Sequence, residues 1–238
     1  MDAPILPAFY FGSVEHYRLL AQYPRVVIDT GEHYVRQSYR TRTAILGPNG
    51  RQGLVVPIAR RSGEKMPMRT VGLSYEETWP QQHLHAIRTA YGQAPWTLHF
   101  IDDIAAVLLR RYERLIDLDL ATMRLGMQWL GLKTELVVSE EYVEEANGEW
   151  PMANGGLPYR SSPFSTDHSP SAGNHSSFTH QLLDLRTTLY PKKPLPAEVP
   201  AVPHYPQVFA DRHGFTPRLS VIDLVCNCGP EAQHHLLA

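Results

Sequence analysis

From roughly Ala146 to Thr179 the chain turns to Ser, Pro, Asn, Gly and His with few large apolar residues. Such a composition buries too little apolar surface to offset the entropy of ordering, and it predicts a flexible loop over about 146–180. The flanks must therefore supply the core. The whole chain, 238 residues of which 43% are hydrophobic, is long and apolar enough to bury a core in one large domain or two small ones, and it reads as a single domain spanning 1–238. A second break, the proline-rich run at about 191–206, predicts an extended connector over the surface.

Before the first break, Val26-Val27-Ile28, Thr43-Ala44-Ile45-Leu46 and Leu54-Val55-Val56 read as short strands. Gly47-Pro48-Asn49-Gly50 predicts a hairpin, because Asn and Gly tolerate the positive φ of a tight turn. Thr78 with Gln81 has the spacing of a helix-capping box, and His83, Ile87, Tyr91 and Ala94 then recur on one helical face up to Pro95. A longer helix is predicted from Asp102 or Asp103 through Trp129, ending at Gly131, with Asp117 and Asp119 facing solvent. Leu132–Val138 reads as a strand, followed by an acidic stretch. Ser220 and Asp223 form a second capping box before Val221, Ile222, Leu224 and Val225, and Gly229-Pro230 stops that helix. The sum is a mixed α+β domain: a β-rich N-terminal part with a hairpin, central amphipathic helices, and a strand-helix C-terminal part around the loop.

Bulk properties narrow the function classes. A net charge of −2 and a pI near 6.6 give no field that draws nucleic acid. No segment approaches the roughly 18 apolar residues of a membrane span, and the start has no secretory pattern, so a cytoplasmic location is expected. Cys226 and Cys228 are too few for a disulfide framework and poorly spaced for zinc, and read as reduced structural thiols. No histidine pair has convincing ligand spacing with a carboxylate, so neither a metal nor another cofactor is predicted. Nucleotide-binding and nucleophile-elbow glycine motifs are absent.

The charge pattern between Arg36 and Arg69 is the strongest chemical signal. Arg36, Arg40, Arg42, Arg51, Arg60, Arg61, Lys65 and Arg69 face a single acid, Glu64. Guanidinium forks match phosphate or carboxylate oxygens, so the cluster suits an anionic ligand, with Arg40 and Arg42 on one strand face as the best pair. The same residues also read as a solvated face paired with the acids near Glu140. His83, near a helix start, suits a general base or a hydrogen-bonded packing role. Asp29, at the end of an apolar strand, suits either a displayed carboxylate or a turn. Asp223 is explained by its capping-box position.

Several segments in order resemble the WbqC-like family: Leu6-Pro7-Ala8-Phe9-Tyr10-Phe11, the strand into Asp29, Arg36-Gln37-Ser38-Tyr39-Arg40-Thr41-Arg42, Val56-Pro57-Ile58, Trp79 with Gln82-His83, and Ala90-Tyr91-Gly92-Gln93-Ala94-Pro95. Tyr205-Pro206-Gln207-Val208-Phe209, His213-Gly214-Phe215-Thr216-Pro217 and Leu219-Ser220-Val221-Ile222-Asp223-Leu224 complete the pattern. The resemblance implies a bacterial protein of surface-polysaccharide (O-antigen) assembly, with transfer of an aminoacyl group such as glycine to a sugar as the suggested activity. In that scheme Arg40 and Arg42 hold a phosphate or carboxylate, with Arg36 and Gln37 as further substrate-binding candidates. His83 deprotonates the attacking group with Asp29 as a second catalytic candidate, and Tyr91, Tyr205 and Gln207 position the sugar. The implied substrate is a nucleotide-linked or lipid-linked sugar. The other reading is a non-catalytic module that assembles polysaccharide enzymes as its partners.

Overall fold

The computed structural model describes residues 3–59, 65–143, 183–197, 199 and 201–238. The loop expected at 146–180 lies outside the described residues, as do Arg60, Arg61 and Glu64. In chain order the strands are β1 (Ile5–Leu6), β2 (Arg25–Asp29), β3 (Arg42–Gly47), β4 (Gly50–Val55), β5 (Ile58–Ala59), β6 (Gly72–Leu73) and β7 (Glu135–Ser139). The helices are α1 (Val14–Leu20), α2 (Trp79–Tyr91), α3 (Thr97–Leu109), α4 (Leu115–Trp129), α5 (Ala210–His213), α6 (Val221–Cys228) and α7 (Ala232–Leu237). The fold is thus α+β, as the sequence pattern predicts.

β2 is the centre of a parallel sheet of order β1-β2-β7. Its unbroken Val26-Val27-Ile28 run is what a strand covered on both faces requires, and all three residues are buried. β7 pairs in register from Arg25↔Glu135 to Asp29↔Ser139, which sets the Asp29 carboxylate at the carboxyl end of the sheet. The predicted hairpin forms as β3–β4, closing at Gly47↔Gly50. Gly50 takes φ 100°, a conformation that a side chain would strain.

Two helix expectations are corrected. Thr78 makes no side-chain cap to α2. The single long helix is two, α3 and α4, because the 110–114 segment is drawn into β pairing: Leu73 N–H donates to Glu113 O at 3.0 Å and Leu115 N–H to Val71 O at 2.8 Å. Those long-range bonds outweigh the helical propensity of a charged linker. The shift also turns Asp119 inward. It is fully buried, whereas Asp117 is exposed as expected.

One aromatic-rich core holds the layers together. Phe9, Tyr10 and Phe11 cross its centre, with Tyr17, Trp79, Tyr91 and most of α6 fully enclosed. Hydroxyl bonds tie the pieces across long sequence distance: Thr43 and Ser220 both donate to Phe11 O, at 2.7 and 3.0 Å. Ser220 N–H donates to Ala44 O at 2.7 Å, so the C-terminal helix is fixed against β3.

Candidate functional site

At the start of α6, Ser220 caps the helix by accepting from Ile222 N–H at 3.3 Å. The Asp223 carboxylate takes no part in that cap and turns into the core instead, which corrects its capping-box reading. Its Oδ2 accepts from the Tyr205 hydroxyl at 2.8 Å and from Gln207 Nε2 at 3.0 Å. Gln207 is itself clamped, donating to Thr216 O at 2.9 Å and accepting from Thr216 N–H at 2.8 Å. The Tyr91 hydroxyl accepts from Leu46 N–H at 3.3 Å and favours the charged form of Asp223. It does not close a hydrogen bond to Oδ1, which has no partner among the described residues. Burial pushes the Asp223 carboxyl up to about 6, against the pull of the Tyr205, Tyr91 and Gln207 groups. Tyr205 and Gln207 therefore meet on one carboxylate, and Tyr91, more than a hundred positions away in sequence, acts on the same group.

The remaining candidates stand elsewhere and have other partners. Asp29 is saturated: Oδ1 accepts from Gly31 and Glu32 N–H at 2.9 and 3.0 Å, and Oδ2 from Val143 N–H at 3.2 Å and from the Arg186 guanidinium. Arg40 is buried and spends its fork on Glu32 at 2.6–2.9 Å. Burial still raises the Glu32 carboxyl above its ordinary range, with Arg40 opposing. Arg36 and Gln37 are exposed, Gln37 at φ 57°. Arg42 is half-buried, and its Nε has no partner among the described residues. Arg51, Lys65 and Arg69 are exposed, and Arg69 donates to the Glu140 carbonyl.

His83 packs between Trp79 and Tyr10, ring centroids 5.2 and 5.8 Å away, and its Nδ1 lies 2.9 Å from the Tyr10 hydroxyl. Burial pushes its imidazole down to about 4, with the Val55 carbonyl opposing, so the ring is neutral at physiological pH. Cys226 and Cys228 are free and buried, their thiols pushed up to about 12 by desolvation. Among the described residues no group of three or more His, Cys, Asp or Glu side chains is placed to hold a metal ion. No described helix is long and apolar enough to cross a membrane.

A second polar group beside α1 was not singled out by the sequence. Glu15, His16 and Tyr39 are each at least nine-tenths buried, and each carries a polar atom without a partner among the described residues: Glu15 Oε2, His16 Nε2 and Tyr39 Oη. The one cue in the sequence is the Ser13-x-x-His16 spacing, a capping box with histidine in place of glutamate.

A comparison with curated proteins finds no match, and neither does one with solved structures. The model of one protein family matches residues 9–235, which takes in β2, the hairpin, all the helices that frame Asp223 and every candidate residue above. The chain belongs to the WbqC-like protein family.

Proposed function

We propose that this protein is a cytoplasmic transferase of bacterial surface-polysaccharide assembly, moving an acyl-type group such as an aminoacyl group onto a nucleotide-linked or lipid-linked sugar. The observation that carries the reading is the convergence of Tyr205 and Gln207 on Asp223 Oδ2, with Oδ1 unpartnered among the described residues. A carboxyl held near 6 suits proton transfer at neutral pH. Oδ1 takes the proton of the sugar hydroxyl or amine as that atom bonds to the acyl carbonyl carbon. The same carboxyl then returns the proton to the donor's departing heteroatom. Tyr205 and Gln207 fix the carboxylate in place. Arg42 shares a strand face with Ala44 and Leu46, which pack against Leu219 and Phe209, and with its Nε unpartnered among the described residues it is a guanidinium that can take a phosphate. In this reading Asp29, Arg40 and His83 hold the frame.

Incubation with pooled sugar nucleotides and aminoacyl donors, read by mass spectrometry, tests it. Transfer by the wild type and its loss in Asp223→Asn at unchanged melting temperature is the expected result. One observation favours the non-catalytic alternative: Arg40 and Asp29 are both committed to buried internal ion pairs. Full cellular polysaccharide synthesis with Asp223→Asn would select that alternative.

A further inference from the structure

The Glu15, His16 and Tyr39 group has an internal logic that fixes what it can accept. Ser13 N–H donates to His16 Nδ1 at 3.2 Å, and the Ser13 hydroxyl lies 3.0 Å from the same nitrogen. A backbone amide can only donate, so Nδ1 carries no proton. Burial, reinforced by the charges of Arg218 and Arg40, pushes the ring down to about 3 and keeps it neutral. The single ring proton therefore sits on Nε2, as a buried donor with no partner among the described residues.

The Tyr39 ring meets the His16 ring edge-on with centroids 4.6 Å apart, and its hydroxyl is likewise unpartnered. Glu15 Oε1 accepts from Arg218 N–H at 3.0 Å, while Oε2 is an acceptor with no partner among the described residues. Arg218 holds that position at φ 63°, a conformation costly for a non-glycine residue. Its guanidinium donates to the Lys193 and Tyr190 carbonyls, and its charge opposes the burial that raises the Tyr39 phenol.

The required ligand must both donate and accept. An ammonium group has no acceptor for His16 Nε2–H. A carboxylate or a fully ionised phosphate has no proton for Glu15, and every ionised form of either is repelled by its charge. A hydroxyl does both at one oxygen: its O–H donates to Glu15 Oε2 while its lone pairs receive His16 Nε2–H and the Tyr39 O–H. We propose that Glu15, His16 and Tyr39 form a binding site for a sugar hydroxyl, which orients the carbohydrate beside the Asp223 cluster. The two groups are tied through the chain: Glu15 Oε1 holds the Arg218 N–H two residues before Ser220, the cap of the helix that carries Asp223. The hydroxyl chemistry stands on these residues alone; the choice of a sugar as its bearer rests on the polysaccharide reading.

A resident water has the same hydrogen-bonding capacity, and Tyr39→Phe separates the two. The probes are the methyl glycosides of glucose, galactose and N-acetylglucosamine at millimolar concentration, with the full chain. At least one is expected to raise the wild-type melting temperature. Tyr39→Phe is expected to leave the unliganded melting temperature unchanged or higher, because it deletes an unsatisfied hydroxyl, and to weaken the glycoside about tenfold by calorimetry. Glu15→Gln provides a second, independent loss of affinity. A fall of several degrees in unliganded Tyr39→Phe would reveal a resident water and overturn the proposal. So would unchanged glycoside affinity in both variants, or no binding of any glycoside to the wild type. Weakened glycoside binding alongside absent acyl transfer would retire the transferase reading and keep this site; transfer abolished by Asp223→Asn with glycoside affinity unchanged in Tyr39→Phe would do the reverse.

Discussion

The Tyr205 hydroxyl donates to Asp223 Oδ2 at 2.8 Å across eighteen residues of chain, and in doing so fixes a buried carboxyl whose second oxygen has no partner among the described residues. The folded carboxyl titrates near 6, above its usual 3.8, so between those values the folded chain holds a proton that the unfolded chain has released. The sign follows: this contribution is fully present below about pH 4 and is lost as pH rises through 6. The separation corresponds to about 3 kcal/mol. Stability of Asp223→Asn relative to wild type should therefore climb between pH 4 and 7, as urea melts at stepped pH will read. Tyr205→Phe removes a bond to the charged form and should raise the Asp223 pKa further, seen by carboxyl carbon NMR.

His83 carries the opposite sign. Its folded value of about 4 lies below the ordinary 6.5, so its contribution is present above pH 6.5 and is lost as pH falls through 4. His83→Gln should flatten the acid limb of the stability curve over that window while leaving the limb above pH 7 unchanged, which a pH series of thermal melts will show.

Where the sequence was legible, local pattern and tertiary demand agreed. Gly47-Pro48-Asn49-Gly50 became the hairpin, Val26–Ile28 the central strand, and Ser220 a true cap. Where it was not, long-range pairing decided. No periodicity announces that Glu113 O will take Leu73 N–H and break a helix in two, or that Asp119 thereby loses its solvent face. The basic run from Arg36 was real as composition, yet among its described members Arg40 is consumed by Glu32, eight residues upstream, while Arg36, Arg51, Lys65 and Arg69 are exposed. Asp223 was hidden because a capping box accounts for an acid at that spacing whether or not its carboxylate caps anything. Tyr91, Tyr205 and Gln207 entered through family resemblance, and only the fold reveals that they share a neighbour.

The Arg40–Glu32 pair is buried on both sides, with 2% and 7% side-chain exposure. Removing one partner strands a charge, so Glu32→Gln should cost about 3–5 kcal/mol, whereas the double replacement Glu32→Leu with Arg40→Met should cost clearly less than the sum of its single changes. Chemical denaturation of the four chains checks this; additive losses would mean that the pair is not a unit.

Gly126 lets α4 approach α1. A Cβ built there would lie 2.3 Å from Tyr17 Oη and 2.4 Å from Tyr17 Cζ, closer than any real contact, and that phenol is already anchored to Thr122 O at 3.2 Å. Gly126→Ala should destabilise the protein by about 1–3 kcal/mol despite its better helix propensity. Placed in a Tyr17→Leu background, the same change should cost little, as a double-mutant cycle by thermal melting will report.

The transfer assay with pooled sugar nucleotides and aminoacyl donors, run on the wild type and Asp223→Asn side by side, is the most direct test of the central claim that Asp223 moves the proton. A product mass increment is expected with the wild type and at least a hundredfold slower formation with Asp223→Asn, of the order that a lost general base produces, at equal folding by circular dichroism. Wild-type turnover retained in full by Asp223→Asn would contradict it.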